Sequence, residues 1–150
     1  MKKLINVYQS ANSIDVALLI VRVGIAALML THGLPKLGML FTDGPVQFPA
    51  LLGLSAAATL TLAVFAEVVC SLLILVGLGT RLVAIPLIIT MLVAVFLVHS
   101  ADPFAKQELG LLYLLPYVML LLTGSGRYSL DYLLLQKVLR PTYVRTLSVQ

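Results

Sequence analysis

Four long apolar runs, separated by short polar breaks, organise the chain. The first, Val16–Leu34, is broken by Arg22 and His32, and the second, Ala56–Leu78, by Glu67. The third, Leu82–Val98, carries no charge, and the fourth, Leu109–Thr123, extends backwards through Pro103–Glu108. A helix spanning a bilayer needs about 20 apolar residues, with a range of about 17–25. The pattern therefore predicts spans near 16–34, 56–78, 82–98 and 103–123. No strand-like alternation, internal repeat or glycine-rich phosphate loop interrupts it.

Local signals mark the ends. Ser55 is a candidate cap for the second helix, and Asp102-Pro103 a candidate start for the fourth, with Asp as cap and Pro at the first helical position. Asp43-Gly44-Pro45 reads as a turn in the long loop between the first two spans, and Phe41 and Phe48 are candidates to fold that loop onto the bundle. Two flanks look amphipathic. Leu4, Val7 or Tyr8, and Ala11 recur at helical spacing before the first span. Leu130, Leu133, Leu134 and Val138 share a face after the last, and Pro141 is expected to end that helix. The expectation is a short basic helix at 129–140 lying in the membrane interface, with docking of a soluble partner as the alternative.

Composition sharpens the membrane reading. Of 150 residues, 61% are hydrophobic and 11% charged, against roughly 25% charged in soluble domains. So short a chain cannot enclose that much apolar surface, and the surplus must face lipid. The length fits one domain covering 1–150. Cys70 is the single cysteine, which excludes a disulfide framework or a CxxC redox pair. The +4 charge forms no basic cluster of the kind a nucleic-acid interface needs.

The distribution of that charge predicts orientation. Lys2, Lys3, Arg81, Arg127, Lys137, Arg140 and Arg145 fall on the side of the termini, and Lys36 and Lys106 on the other. The positive-inside rule then places both termini in the cytoplasm. Lys2-Lys3 resembles the start of a signal peptide, but the apolar run begins late and no clean small-x-small site follows, so an uncleaved span is expected.

The polar residues within the spans carry the candidate chemistry. A charge at the centre of a membrane helix costs about 2.5–3.5 kcal/mol on insertion scales and marks a functional hypothesis. Measured from the edges of their apolar runs, Arg22 and Glu67 differ in depth by about 6 Å, which predicts an Arg22–Glu67 ion pair. Ala63, Ala66, Cys70 and Ser71 around Glu67 are small and favour close helix approach. The pair either locks two helices or makes Glu67 a proton-carrying or ligand-binding carboxylate. Arg22, Met29 and Lys36 are seven residues apart, and His32 lies within about 80° of Arg22 around the helix. One stripe of the first helix thus lines a polar path to the outer mouth, where His99 and Glu108 are placed to join it. Neither histidine sits in a metal-ligand spacing, so no metal site is expected. Tyr113 and Tyr117, four apart, are read as packing residues.

Several motifs occur in order. Arg22 is followed by His32-Gly33-Leu34-Pro35-Lys36, Glu67 stands in the second span, then come Gly77-Leu78-Gly79-Thr80-Arg81 and Gly124-Ser125-Gly126-Arg127-Tyr128-Ser129-Leu130-Asp131. Over residues 16–132 this resembles the DoxX family of small four-helix membrane proteins. The resemblance implies an all-α, four-span bundle in a bacterial inner membrane. It also implies kinship with a subunit of a thiosulfate:quinone oxidoreductase and with membrane partners in complexes that handle thiols and oxidative stress. By analogy its motif positions are Arg22, His32, Gly33, Lys36, Glu67, Gly79, Arg81, Gly126, Ser129 and Asp131. Independently of the resemblance, Gly77 and Gly79 suit a tight turn, Arg81 a headgroup anchor, Ser129 a cap for the last helix and Asp131 its first turn.

Three functions follow as expectations. The first is a membrane subunit of a redox complex binding a quinone or other lipophilic ligand, with Arg22, His32, Lys36, Glu67, His99 and Glu108 as candidate ligand residues. The second is a non-catalytic scaffold for partner proteins, and the third a solute or proton transporter acting as a homo-oligomer. With no flavin fingerprint and no Fe–S cysteines, the chain is not expected to catalyse redox chemistry alone; it needs a soluble or membrane redox partner, or a diffusible cofactor.

Overall fold

A computed structural model describes residues 11–147 of the protein. Five helices follow one another: α1 (Ala11–Leu40), α2 (Ala56–Val76), α3 (Thr80–Val98), α4 (Phe104–Thr123) and α5 (Leu130–Leu147). The first four are long and apolar enough to cross a membrane. Their outward faces stay apolar, with Leu82 75% and Leu122 72% exposed. In water those faces would be unstable; in a bilayer they are the solvated surface. The chain is a multi-pass, all-α membrane protein.

α1 is longer than its apolar run predicts. At 1.5 Å per residue its 30 residues span about 45 Å, beyond a hydrocarbon thickness of about 30 Å. Polar residues at both ends continue the helix, and Pro35 lies inside it rather than ending it. Ser55 caps α2 as expected, accepting from the Ala58 amide at 3.2 Å. Asp102 does not cap α4: its carboxylate bonds His99 and Lys106 instead. The apolar positions read at residues 4–8 lie outside the described residues.

α5 continues through Pro141 to Leu147, where the sequence reading ended it. A proline removes one intrahelical hydrogen bond and favours a kink, which need not terminate the helix. Leu130, Leu133, Leu134 and Val138 are all exposed, as is every residue from 133 to 138, so the bundle leaves this stretch of α5 uncovered.

One end of the bundle is closed by a polar cap. Arg22, 1% exposed, does not meet Glu67. Its Nε donates to Ile74 O at 3.1 Å and its Nη2 to Leu75 O at 3.2 Å. Its Nη1 donates to Tyr128 O at 3.1 Å and to Ser125 O. The acceptors include last-turn carbonyls of α2, where the regular intrahelical pattern runs out; Ile74 O also accepts from Gly77 N at 3.0 Å. The predicted pair fails on level. Arg22 lies opposite Ile74 and Leu75, seven to eight residues beyond Glu67, or about 11 Å along the axis. The edge of an apolar run does not mark the level at which helices pack.

The remaining terminal motifs surround this arginine. Gly77 has φ +72°, and a Cβ there would lie 2.6 Å from Ser129 Cβ and 2.7 Å from Arg22 Cζ. Asp131, expected only to favour its own helix, reaches across to α3 and accepts from the Gly79 and Thr80 amides at 2.8 and 3.4 Å. Ser125 Oγ donates to the same carboxylate at 3.2 Å. Ser129 caps α5, accepting from Tyr132 N at 3.2 Å and donating to Gly126 O at 2.6 Å. Arg81 Nη2 donates to Leu122 O at 3.2 Å and Thr123 O at 3.4 Å, the last carbonyls of α4. Asp15, which the sequence reading passed over, ties α1 to the same loop by accepting from Arg127 N at 2.9 Å.

Arg22→Met strips several buried carbonyls of their donor. We expect a loss of about 3 kcal/mol or more, seen as a large fall in melting temperature in detergent. Arg22→Lys, lacking the planar fork, restores only part of it. Gly77→Ala strikes the same contacts, so its cost and that of Arg22→Met are expected to combine less than additively.

Candidate functional site

The opposite end of the bundle is cleft rather than sealed. Two π-helical segments shape it, Phe65–Cys70 in α2 and Ala94–Val98 in α3. The wider π turn brings three consecutive residues, Ala66, Glu67 and Val68, into the interior, where a regular α-helix would rotate each by 100° out of line. Such segments recur at functional sites. α1 approaches Glu67 closely because residue 33 is glycine: a Cβ there would lie 3.0 Å from the Glu67 carbonyl carbon and 2.8 Å from Val68 Cγ2.

Lys36, about 21 Å along α1 from Arg22, makes the ion pair that Arg22 does not. Its Nζ bonds Glu67 Oε1; the glutamate side chain is 3% exposed and the lysine side chain 29%. Lys36 also sits 5.9 Å from the centre of the Phe48 ring. Glu67 Oε2 is buried without a hydrogen-bond partner.

Two cavities meet at this pair. The larger, about 320 Å³, runs between α2 and α3 under the 48–54 loop, and its walls are mostly apolar, including Phe48, Leu62, Ala63, Ile89 and Val93. Leu62 and Ile89 face outward, so this lobe opens sideways towards hydrocarbon. The smaller, about 120 Å³, lies between α1, α3 and α4 and is lined by Met29, His32, Met91, His99 and Tyr113 among others. Lys36, Glu67, Ala94 and His99 line both.

The sequence-predicted residues thus divide. His32, Lys36, Glu67 and His99 come together. The His32 ring stands edge-on to Tyr113 at 5.7 Å, and His99 Nδ1 bonds Asp102 Oδ2 at 2.7 Å. The His99 bond, assisted by Lys106, holds the Asp102 carboxyl below the usual carboxylate range. Arg22 belongs to the far cap. Glu108 is exposed and lines neither cavity. Its neighbour Gln107 turns inward instead and donates to His99 O at 2.9 Å and Asp102 O at 3.2 Å. Gln107 went unnoticed, although Gln107, Gly110, Tyr113 and Tyr117 lie three or four apart and mark the inner face of α4. Phe48 does fold onto the bundle; Phe41 points away, 82% exposed. Among the described residues no three His, Cys, Asp or Glu side chains are grouped to hold a metal ion.

The two partners of the ion pair differ in what their loss leaves behind. Lys36→Met strands a buried carboxylate, and we expect a cost of about 3–5 kcal/mol. Glu67→Gln leaves an ammonium that can swing to the surface, and costs about 1 kcal/mol. The double variant should be more stable than Lys36→Met alone. Thermal melts of the four proteins in one detergent check the order.

Comparisons with known proteins agree with this architecture. The DoxX family model matches residues 17–100. A Bacillus subtilis (strain 168) protein named "Putative oxidoreductase CatD" is 32% identical over 121 residues, covering 79% of this chain and 87% of its own. An uncharacterized protein of Haemophilus influenzae (strain ATCC 51907 / DSM 11121 / KW20 / Rd) is 32% identical over 117 residues, covering 73% of this chain and 84% of its own. No solved structure matches. The family model spans more than half of the chain, and with four helices long and apolar enough to cross a membrane this chain belongs to the DoxX family of membrane proteins.

Proposed function

We propose that the protein is the membrane subunit of a redox system in a bacterial inner membrane and binds a quinone, or a ligand of similar shape, over the Lys36–Glu67 pair. The observation that carries this reading is the two-part cavity. An apolar lobe reachable from the bilayer suits a ring and its isoprenoid tail, and it ends on a cluster of polar groups suited to a head group. Lys36 Nζ and the His99 imidazole supply hydrogen-bond donors for ring oxygens, and Glu67 supplies a carboxylate beside them. Phe48 and Leu51 of the loop cover the head-group end.

The chain's own residues bind, orient and exclude water. On this reading electrons come from a partner or a diffusible cofactor, since the one cysteine, Cys70, is buried. The relative named as an oxidoreductase supports the redox setting. The similarity extends over most of both chains.

Binding of a short-chain ubiquinone analogue to protein in nanodiscs tests this reading. We expect saturable binding that weakens at least about tenfold, or 1.4 kcal/mol, in Ala63→Phe, which fills the apolar lobe, with little change in melting temperature. Lys36→Met should weaken it further. Binding that never saturates, together with no quinone in solvent extracts of the purified protein, would overturn the assignment.

A further inference from the structure

The loop beside the larger cavity holds a backbone conformation that its sequence disfavours. Leu51 O accepts from Leu54 N at 2.9 Å, and the two residues between them both have positive φ, +54° at Leu52 and +76° at Gly53. This is the pattern of a type I′ turn, whose first central position favours asparagine, aspartate or glycine. Leu52 is the one non-glycine residue with positive φ among the described residues. A leucine in this region crowds its Cβ against the following carbonyl oxygen, a strain that glycine avoids and asparagine tolerates.

Burial within the bundle does not offset that strain, because Leu52 is 74% exposed. Nor does it belong to the lipid-facing surface of a helix, since it lies in the segment between the first two spans. The turn is nevertheless tethered. Leu51 N donates to Thr59 Oγ1 at 3.4 Å, and that hydroxyl donates to Ser55 O at 3.1 Å at the start of α2. On the other side Phe48 packs on the cluster of Leu60, Val64 and Val68. What Leu52 does line is the larger cavity, together with Leu54, Leu62 and Ile89, all of them exposed. At about 320 Å³ the cavity is at the lower end of ligand sites, roughly 300–1,000 Å³, so a ligand that fills it reaches these side chains. Backbone strain of this kind concentrates at ligand clamps.

We propose that Leu52 is a ligand-contact residue, held by its strained turn at the open side of the larger cavity so that its side chain packs against the apolar part of the bound ligand. The proposal rests on the reading of that cavity as a quinone-type site and adds a specificity-determining residue to it. In the free protein the leucine is strained and uncovered; in the complex the ligand removes its apolar surface from solvent. A polar residue would suit the turn better and the ligand worse, so the identity of residue 52 follows the ligand and not the fold.

Binding of the short-chain ubiquinone analogue to the parent, Leu52→Asn and Leu52→Met proteins in nanodiscs tests this, with a thermal melt of each without ligand. Asparagine accepts the backbone conformation and loses the apolar contact. Its melting temperature should hold or rise, while its affinity falls at least about tenfold, 1.4 kcal/mol. Methionine keeps an apolar side chain of similar volume and should bind within about threefold of the parent. Saturable binding by the parent with Leu52→Asn within about twofold of it overturns the proposal and leaves the quinone reading standing. So does a fall of more than about 4 °C in the melting temperature of Leu52→Asn, which makes Leu52 a packing or membrane-anchoring residue, or a loss in Leu52→Met as large as in Leu52→Asn. A parent that never binds saturably removes the quinone reading and this proposal with it.

Discussion

A membrane helix satisfies its own backbone along its length but not in its last turn, and lipid offers those carbonyls nothing. The protein meets this constraint with one buried guanidinium. Arg22 serves the end of α2 and the loop after α4 together, and only a planar, multi-donor side chain can do so. Gly77 leaves the room it needs, Asp131 balances its charge while binding the start of α3, and Ser129 fixes the helix that delivers Asp131. A charge that would be costly in hydrocarbon becomes the point at which two connections are held to α1.

Fixing one end frees the other for chemistry. The Lys36–Glu67 pair is less complete than the Arg22 cap: one carboxylate oxygen is unmatched, and the lysine is partly open. Two π turns and two glycines, Gly33 packed against Glu67 and Val68 and Gly110 against Val95, gather backbone and side chains around it. The two ends of α1 thus differ within a single element: one polar group is fully satisfied by the helices it holds, the other is left partly open beside two cavities.

Much of this was legible in the chain, for reasons that also explain what was not. The four spans follow from apolar length, and the turn and cap residues from backbone requirements that glycine, serine and aspartate meet in recognisable ways. Of the stripe Arg22, Met29, His32 and Lys36, the last three line the smaller cavity, because helical period places them on one face, whereas Arg22 belongs to the far cap. The choice of partner for Glu67 was not legible. Apolar runs give approximate depth, whereas pairing depends on the packing level of two helices, and α1 extends well beyond its run at both ends. Sequence therefore favoured the two strongest charges, when Lys36, seemingly at the edge, had the right height. Glu108 was chosen over Gln107 for its charge; the inward phase of α4, visible in Gly110 and Tyr113, pointed to its neighbour. The π turns left no signal, since an added residue in a helix is seen only against its neighbours.

The tight Gly77–Gly79 connection gives the bundle a mechanical asymmetry. α2 and α3 are bound together where they meet and part around the larger cavity towards their far ends, like the arms of a pair of tweezers. With arms of about 20 residues, or about 30 Å, a tilt of only about 5° between them moves the tips apart by about 2.6 Å. An opening of that size would widen the mouth of the larger cavity while leaving the turn at the pivot unchanged.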